Sequence, residues 1–161
     1  MNMSRKTTRA LSTAVLLLLS GSVLAQQLPQ LKPDEVIRYR KAGYAFMNWN
    51  MAKLKAMLDG SVPFNKDQAL AAATSINSTV NSGMGALYTP GSDKDAGNEK
   101  TRLKPEFFTQ PDKVKEVAGA YRTAGMKLAA AAATGDPAQI KPAFDDMGKA
   151  CKGCHDAFRK D

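Results

Sequence analysis

The last 26 residues of the chain, DPAQIKPAFDDMGKACKGCHDAFRKD from Asp136 to Asp161, carry its clearest helical pattern. Apolar side chains and both cysteines recur in it at steps of three or four residues: Ile140, Phe144, Met147, Cys151, Cys154 and Phe158. This is the spacing of one face of an α-helix. Gly135 suits the end of a preceding helix, Asp136 is a favourable N-cap, and Pro137 fits the first helical position. We therefore expect a final helix that begins at Pro137.

Three upstream segments show the same periodicity. The first begins at Pro33, the second has Asn65 as its N-cap, and the third begins at Pro111. We expect the second helix to continue to Leu87, with a loosened end from Gly83. The three apolar stripes are Val36, Tyr44, Met47, Met51, Leu54 and Leu58, then Leu70, Ala73, Ile76, Val80 and Leu87, then Val114, Val117, Tyr121, Met126 and Leu128.

The longest linker covers residues 88–110 and contains Pro90, Gly91, Gly97 and Pro105 among many polar residues. A linker of this length in a small domain often has a role of its own. No segment alternates with a period of two, and β-branched residues are scarce. Four amphipathic helices with mostly short connections predict an all-α fold, an antiparallel four-helix bundle.

The motif Cys151-Lys152-Gly153-Cys154-His155 contains both cysteines and the only histidine of the chain. C-x-x-C-H is the attachment signature of c-type haem: each thiol adds to a vinyl group, and the histidine becomes the proximal iron ligand. On a helix, positions i, i+3 and i+4 share a face. We therefore expect one covalently attached haem c on the last helix, held by Cys151 and Cys154, with His155 as the metal ligand.

Other uses of this motif fit the chain less well. A thioredoxin-like redox site needs C-x-x-C at the start of a helix in a βαβ setting, whereas this motif lies near the end of a helix. A zinc site needs four ligands, and only three are clustered here. A disulfide between residues i and i+3 closes so small a loop that it would add little stability.

The position of the motif limits the second axial ligand of the iron. Six residues follow His155, and none of them is methionine or histidine. A second ligand must therefore come from upstream or be absent. Ligation by two histidines within one chain is excluded, because the sequence has no second histidine.

The first 25 residues have the pattern of a secretory signal peptide. A basic start is followed by an apolar run over 14–24, and Val23 and Ala25 occupy the −3 and −1 positions of a small-residue cleavage site. An uncleaved membrane anchor is the alternative, although Ser20 and Gly21 interrupt the run. Cleavage before Gln26 would leave residues 26–161 as one haem domain in the periplasm.

The charge of this expected mature chain is mildly basic. Removing the three basic residues of residues 1–25 from the total of 23 leaves 20 basic residues against 15 acidic ones. No run of lysine or arginine resembles a nucleic-acid patch. We expect no nucleic-acid partner and no membrane contact after cleavage. The charge predicts solubility and weak steering of acidic partners, and redox proteins are separate candidate partners.

The sequence resembles the cytochrome c-prime family over essentially the whole expected mature chain. The similar segments are Lys32-Pro33, Arg38-Tyr39-Arg40 and Met47 in the first helix, Lys104-Pro105-Glu106-Phe107 in the linker, and Cys151 to Lys160 at the end. The final segment is the most specific of these. The resemblance implies a four-helix bundle with a single haem on its last helix.

The resemblance also bears on the side of the haem opposite the histidine. Low-spin electron carriers of the family have a methionine four residues after the arginine of the first helix, and high-spin members have a side chain there that does not bind iron. That position is Tyr44 in this sequence. By this comparison the iron is five-coordinate, with Tyr44 over the vacant position. Met47 lies one turn further on, and core filling is the simpler role for it.

Arg40 lies within the apolar stripe of the first helix, and a buried arginine calls for an anion. A haem propionate would supply one, and the family resemblance points to the same role; the alternative is an Arg40 that extends to solvent. Weaker propionate candidates are Lys41, Thr101 and Arg102. Arg159, one turn after His155, is expected over the proximal side of the haem or at the surface.

An open iron position behind an aromatic residue favours small diatomic gases, and the family is similarly associated with nitric oxide and carbon monoxide. The leading hypothesis is therefore a gas-binding haem protein with some redox activity, and the alternative is an electron carrier with Met47 as sixth ligand. A peroxidase is disfavoured because no distal histidine exists to transfer protons. We expect no enzymatic activity.

A second apolar face on the first helix predicts a homodimer. It is formed by Ile37, Ala45, Phe46, Trp49, Ala52 and Ala56. A monomeric bundle has little use for two apolar faces on one helix. Members of the resembled family similarly pair through their first two helices.

Overall fold

The computed structural model describes residues 30–161, so the predicted signal peptide at 1–25 lies outside the described residues. Within this range the chain forms four α-helices: α1 Pro33–Leu58, α2 Lys66–Asn81, α3 Pro111–Thr134 and α4 Pro137–Phe158. Two short 3₁₀ helices, Met84–Leu87 and Pro105–Phe108, lie between α2 and α3. Residues 30–161 contain two isolated β-bridges and no β-strand. The predicted all-α class is confirmed.

The starts of the helices follow from local capping chemistry. A proline occupies the first turn of α1, α3 and α4, where its missing N–H costs nothing. At α2, Asn65 Oδ1 accepts a hydrogen bond of 2.9 Å from the Gln68 amide. At α4, Asp136 Oδ1 accepts one of 2.9 Å from the Ala138 amide. All four predicted helix starts are thus confirmed to within one residue.

The predicted end of the second helix is wrong. α2 ends at Asn81, six residues before the expected Leu87. Gly83 follows with a φ of +85°, a left-handed conformation that only glycine adopts at little cost. The chain then turns through the 3₁₀ helix Met84–Leu87 and delivers Tyr88 toward α1, with which this 3₁₀ helix is in contact.

The helices close into a bundle with one main core. Helices adjacent in sequence pack against each other, and α1 also contacts α4. Each helix contributes fully buried side chains to the core, including Leu54, Ile76, Leu128, Ile140 and Met147. A second, smaller cluster of Leu103, Val117 and Phe158 joins the linker to α3 and α4. No helix within residues 30–161 is long and apolar enough to cross a membrane.

The second apolar face predicted on α1 is only partly exposed. Phe46 and Trp49 are 51% and 56% exposed, and their rings lie 5.9 Å apart. Ile37 is fully buried, so its assignment to this outer face is wrong. The linker is hydrogen-bonded to this end of α1 through Arg40 and Lys41. Helical periodicity cannot reveal such long-range contacts.

Candidate functional site

The C-x-x-C-H motif occupies the last two turns of α4. Cys151 and Cys154 are free thiols, and both are half-buried. Burial raises the pKa of each thiol, so both stay protonated at neutral pH. Cys151 packs against the main core, and Cys154 packs against the smaller cluster formed with the linker.

His155 is exposed on the outer side of the same turn. Its Nδ1 lies 3.2 Å from Nη1 of Arg159, which donates because a guanidinium has no acceptor. Burial lowers the pKa of His155, and the charges of Arg159 and Arg102 lower it further. The imidazole is thereby kept neutral, which is the form that binds a metal. An open concavity of about 690 Å³ is lined by Cys151, His155, Arg102 and Arg159, among others.

Three tyrosines pack in the same clusters as the two half-buried thiols. Tyr44 from α1 and Tyr121 from α3 pack against the same core cluster as Cys151, and Tyr88 packs in the same cluster as Cys154. The hydroxyls of Tyr44 and Tyr88 form a hydrogen bond of 2.8 Å. Burial raises the pKa of all three phenols, which are therefore neutral at physiological pH.

Tyr88 and Phe107 were not anticipated as site residues. Their rings stack with a centroid distance of 4.3 Å and an interplanar angle of 15°, and Phe107 meets Phe158 of α4 edge-on at 5.3 Å. The sequence held one usable signal, namely aromatic residues within an otherwise polar linker. Such residues need an apolar surface to cover, and here that surface is the end of α4 near Cys154.

Met47 lies in the core of the bundle and is 3% exposed. Its sulfur accepts a hydrogen bond of 2.9 Å from the Tyr121 hydroxyl. This environment matches the interpretation of Met47 as a core-filling side chain.

Arg40 is 6% exposed, so it does not extend to solvent. Its Nη1 donates to the Leu87 carbonyl and to Ser92 Oγ at 3.0 Å each, and its Nη2 donates to the Ser92 carbonyl and to Thr101 Oγ1 at 2.9 Å each. Four hydrogen bonds to neutral oxygens therefore satisfy the buried guanidinium, for which the sequence predicted an anionic partner. The propionate role of Arg40 and Thr101 stays a prediction.

The remaining propionate candidates, Lys41 and Arg102, lie in different places, and Arg102 lies beside Arg159, which was expected over the proximal side of the haem or at the surface. Lys41 Nζ is exposed and pairs with Glu99 Oε2 at 2.7 Å, which already supplies its anion. Arg102 and Arg159 instead lie together beside His155 in the concavity. Of the two, the structure gives Arg159 a direct contact with the predicted iron ligand.

The family model for cytochrome C′ matches residues 35–159 of this chain. The chain belongs to the cytochrome c′ family. The cytochrome c′ of Allochromatium vinosum is 47% identical over 148 residues, which cover 92% of this chain and 95% of that protein. As a member of the family, the chain carries one covalently attached haem c. The residues fit it, since two free thiols and a neutral imidazole project from neighbouring positions of α4.

Solved structures of other cytochromes c′ report ligands and assembly. One at 48% identity, with a TM-score of 0.79 and coverage of 82% of this chain and 99% of its own, has a ligand-controlled dimer dissociation. The cytochrome c′ of Alcaligenes xylosoxidans has been solved as a ferrous variant with bound nitric oxide, at 26% identity, a TM-score of 0.72 and coverage of 82% of this chain and 98% of its own. Another variant of that protein holds carbon monoxide.

Proposed function

We propose that this cytochrome c′ has a five-coordinate, high-spin haem that binds nitric oxide and carbon monoxide and also transfers electrons. The haem supplies the iron at which the gas binds. Cys151 and Cys154 hold the group, His155 ligates the iron, and Tyr44 crowds the opposite side. The gas-bound structures of the Alcaligenes xylosoxidans relative support this ligand class.

The observation that carries the proposal is the hydrogen bond from Tyr121 to the Met47 sulfur. A methionine that serves as sixth ligand must offer a sulfur lone pair to iron. In this protein the Met47 sulfur instead accepts a hydrogen bond from the Tyr121 hydroxyl, and the side chain is packed within the core of the bundle. Among residues 156–161, which follow His155, no methionine or histidine is available. The electron carrier with Met47 as ligand is therefore the weaker alternative.

Tyr44 meets the requirements of a crowding side chain. It is half-buried on the bundle side of α1. Burial is the main cause of the raised pKa of its phenol, and the nearby Cys154 thiol raises this pKa further. A neutral phenol ring is bulky, and its oxygen is a poor iron ligand while protonated. Small neutral diatomic molecules can pass such a ring more readily than larger substrates can.

The optical spectrum of the reduced protein tests this proposal. We expect a broad high-spin Soret band that shifts when carbon monoxide is added. Sharp low-spin bands, with the weak red absorption of methionine ligation in the oxidised form, would support Met47 as the ligand and overturn the five-coordinate assignment.

Peroxidase activity is not expected from this site. The chain has no second histidine that could act as a distal proton carrier, and the raised pKa of Tyr44 makes it a poor proton shuttle near pH 7. Steady turnover of peroxide above the rate of free haem would overturn this expectation.

The proposed assembly is a homodimer formed through α1. Phe46 and Trp49 supply two large exposed aromatic rings on one side of this helix, and Ala45 and Ala52 beside them are also exposed. A relative with a dissociating dimer supports pairing in this family. Aromatic side chains are typical of the centre of protein interfaces.

The proposed location is the periplasm, with the signal peptide removed before Gln26. The basic start, the apolar run and the small-residue cleavage site of residues 1–25 carry this proposal. Mass spectrometry of the periplasmic fraction should find a chain that begins at Gln26. An intact N-terminus in the membrane fraction would favour the uncleaved anchor.

A further inference from the structure

The hydrogen-bonded hydroxyls of Tyr44 and Tyr88 leave one hydroxyl proton without an acceptor. Each neutral phenol has one O–H donor, and the 2.8 Å hydrogen bond between the two oxygens uses only one of the two protons. Neither hydroxyl has a second hydrogen-bond partner among the residues that the structure describes. The pair can therefore donate one further hydrogen bond to a molecule that enters beside it.

Tyr88 is the more firmly held member of the pair. Its ring is stacked on Phe107 at 4.3 Å, and the Arg40 guanidinium carbon lies 4.8 Å from the centre of the same ring. Arg40 is in turn bonded to the carbonyls of Leu87 and Ser92, on both sides of Tyr88 in the chain. These contacts hold the Tyr88 hydroxyl in place, and the Tyr44 hydroxyl is hydrogen-bonded to it.

Either hydroxyl could donate in this hydrogen bond. The Tyr88 ring is held by its stacking on Phe107 and by the Arg40 guanidinium, so its hydroxyl stays directed at Tyr44. We therefore assign Tyr88 as the donor and Tyr44 as the acceptor. A hydroxyl that accepts a hydrogen bond becomes a stronger donor itself. The free proton of the pair is therefore that of Tyr44.

We propose that Tyr88 is a positioning residue that donates to Tyr44, and that the Tyr44 hydroxyl in turn donates a hydrogen bond to an iron-bound diatomic molecule. This inference rests on the proposed function, since it requires a ligand at an open iron position near Tyr44. Its consequence is selectivity. Nitric oxide, which draws more negative charge from the iron than carbon monoxide does, gains more from a hydrogen-bond donor.

The test compares Tyr44→Phe, Tyr88→Phe and the control Tyr39→Phe in the haem-loaded protein. Each change removes only a hydroxyl, and Tyr39 is an exposed residue of α1 outside the site. The first readout is the C–O stretching frequency of the ferrous carbon monoxide adduct, which a hydrogen bond to the ligand lowers. We expect it to rise fully in Tyr44→Phe, to rise partly and broaden in Tyr88→Phe, and to stay unchanged in Tyr39→Phe.

The second readout is the rate of ligand dissociation. Loss of one hydrogen bond corresponds to a factor of about 2 to 10. We expect nitric oxide to leave Tyr44→Phe and Tyr88→Phe faster by such a factor, with a much smaller change for carbon monoxide. Tyr44→Phe keeps the crowding ring, so association rates should change little.

Two different failures can be told apart. A low-spin spectrum of the unaltered reduced protein overturns the proposed function, and the hydroxyl proposal with it. A high-spin spectrum combined with unchanged C–O frequencies in Tyr44→Phe and Tyr88→Phe overturns the hydroxyl proposal alone. If Tyr88→Phe binds less haem or loses helical circular dichroism, Tyr44→Phe still decides whether a hydrogen bond to the ligand exists.

Discussion

Tyr44 and Met47 are one turn apart on α1, yet the structure gives them different surroundings. Tyr44 shares a hydrogen bond with a linker residue near Cys154, whereas the Met47 sulfur is occupied by Tyr121 inside the bundle. Helical periodicity alone could not separate them, because both fall on the same apolar stripe, and only the family resemblance gave them different roles. Their partners decide the difference, and these come from other parts of the chain.

The first prediction concerns the crowding role of Tyr44. Tyr44→Ala removes the ring, so carbon monoxide should associate faster by about tenfold, which corresponds to a barrier lower by about 1.4 kcal/mol. The iron should remain high-spin, the state that we propose for the unaltered protein. Stopped-flow measurement on the reduced protein gives the rate.

Met47→Leu is the matched variant for this experiment. It nearly conserves volume and cannot ligate iron, so the spectrum and the association rate should stay as they are. The stability cost should be about 1 to 3 kcal/mol, because the Tyr121 hydroxyl loses its acceptor. If Met47→Leu speeds association strongly while Tyr44→Ala does not, the assignment of the two residues is wrong.

The second prediction concerns covalent attachment at residues 151 and 154. Replacing both cysteines with alanine should remove the haem stain from the band in a denaturing gel, because no thioether bond then holds the group. His155→Ala should keep some of the stain but lose normal iron ligation in the spectrum. A haem stain that survives loss of both cysteines would contradict covalent attachment through this motif.

At the scale of elements, the end of α2 depends on one glycine. Gly83 has a φ of +85°, and a Cβ there would meet no atom within 4 Å. Gly83→Ala should therefore lower the free energy of unfolding through backbone strain alone, by about 1 to 2 kcal/mol. Urea unfolding of the haem-loaded protein measures this change.

Gly85→Ala is the control for that substitution. Gly85 also has open space around it, but its φ is not in the left-handed region. Its replacement should leave the midpoint of unfolding nearly unchanged. Equal losses in the two variants would show that the left-handed turn is not what Gly83 contributes.

The sequence predicts the helices better than it predicts the linker. Caps and prolines mark helix starts locally, and the C-x-x-C-H spacing determines which residues share a face of α4. The path of residues 88–110 is set instead by Arg40, which reaches Leu87, Ser92 and Thr101 across 47 to 61 residues of sequence. No local pattern encodes those partners. This is why Tyr88 and Phe107 became visible as site residues only in the folded chain.

For the whole molecule, the proposed crowding residue Tyr44 and the outer face of α1 belong to the same helix. Tyr44 lies toward the core of the bundle, and Phe46 and Trp49 lie on the solvent side. A displacement of Tyr44 by an incoming gas would therefore act on the helix that carries the proposed dimer interface. The oligomeric state would therefore report on a movement of α1, in addition to gas binding.

The last prediction tests that interface directly. Trp49 is 56% exposed, and Lys53 Nζ lies 4.3 Å from its ring centre. Trp49→Glu would remove the aromatic ring and place a carboxylate, paired only with Lys53 of its own helix, where we expect two copies of α1 to meet. Burying such a charge pair at an interface carries a desolvation cost that opposes association. Sedimentation of the haem-loaded protein at micromolar concentration should give a dimer for the unaltered chain and a monomer for Trp49→Glu. Met126→Glu, at an apolar side chain of α3 that is 53% exposed, is the control and should remain dimeric. A monomeric unaltered protein, or dissociation by Met126→Glu alone, would rule out a dimer through this face of α1.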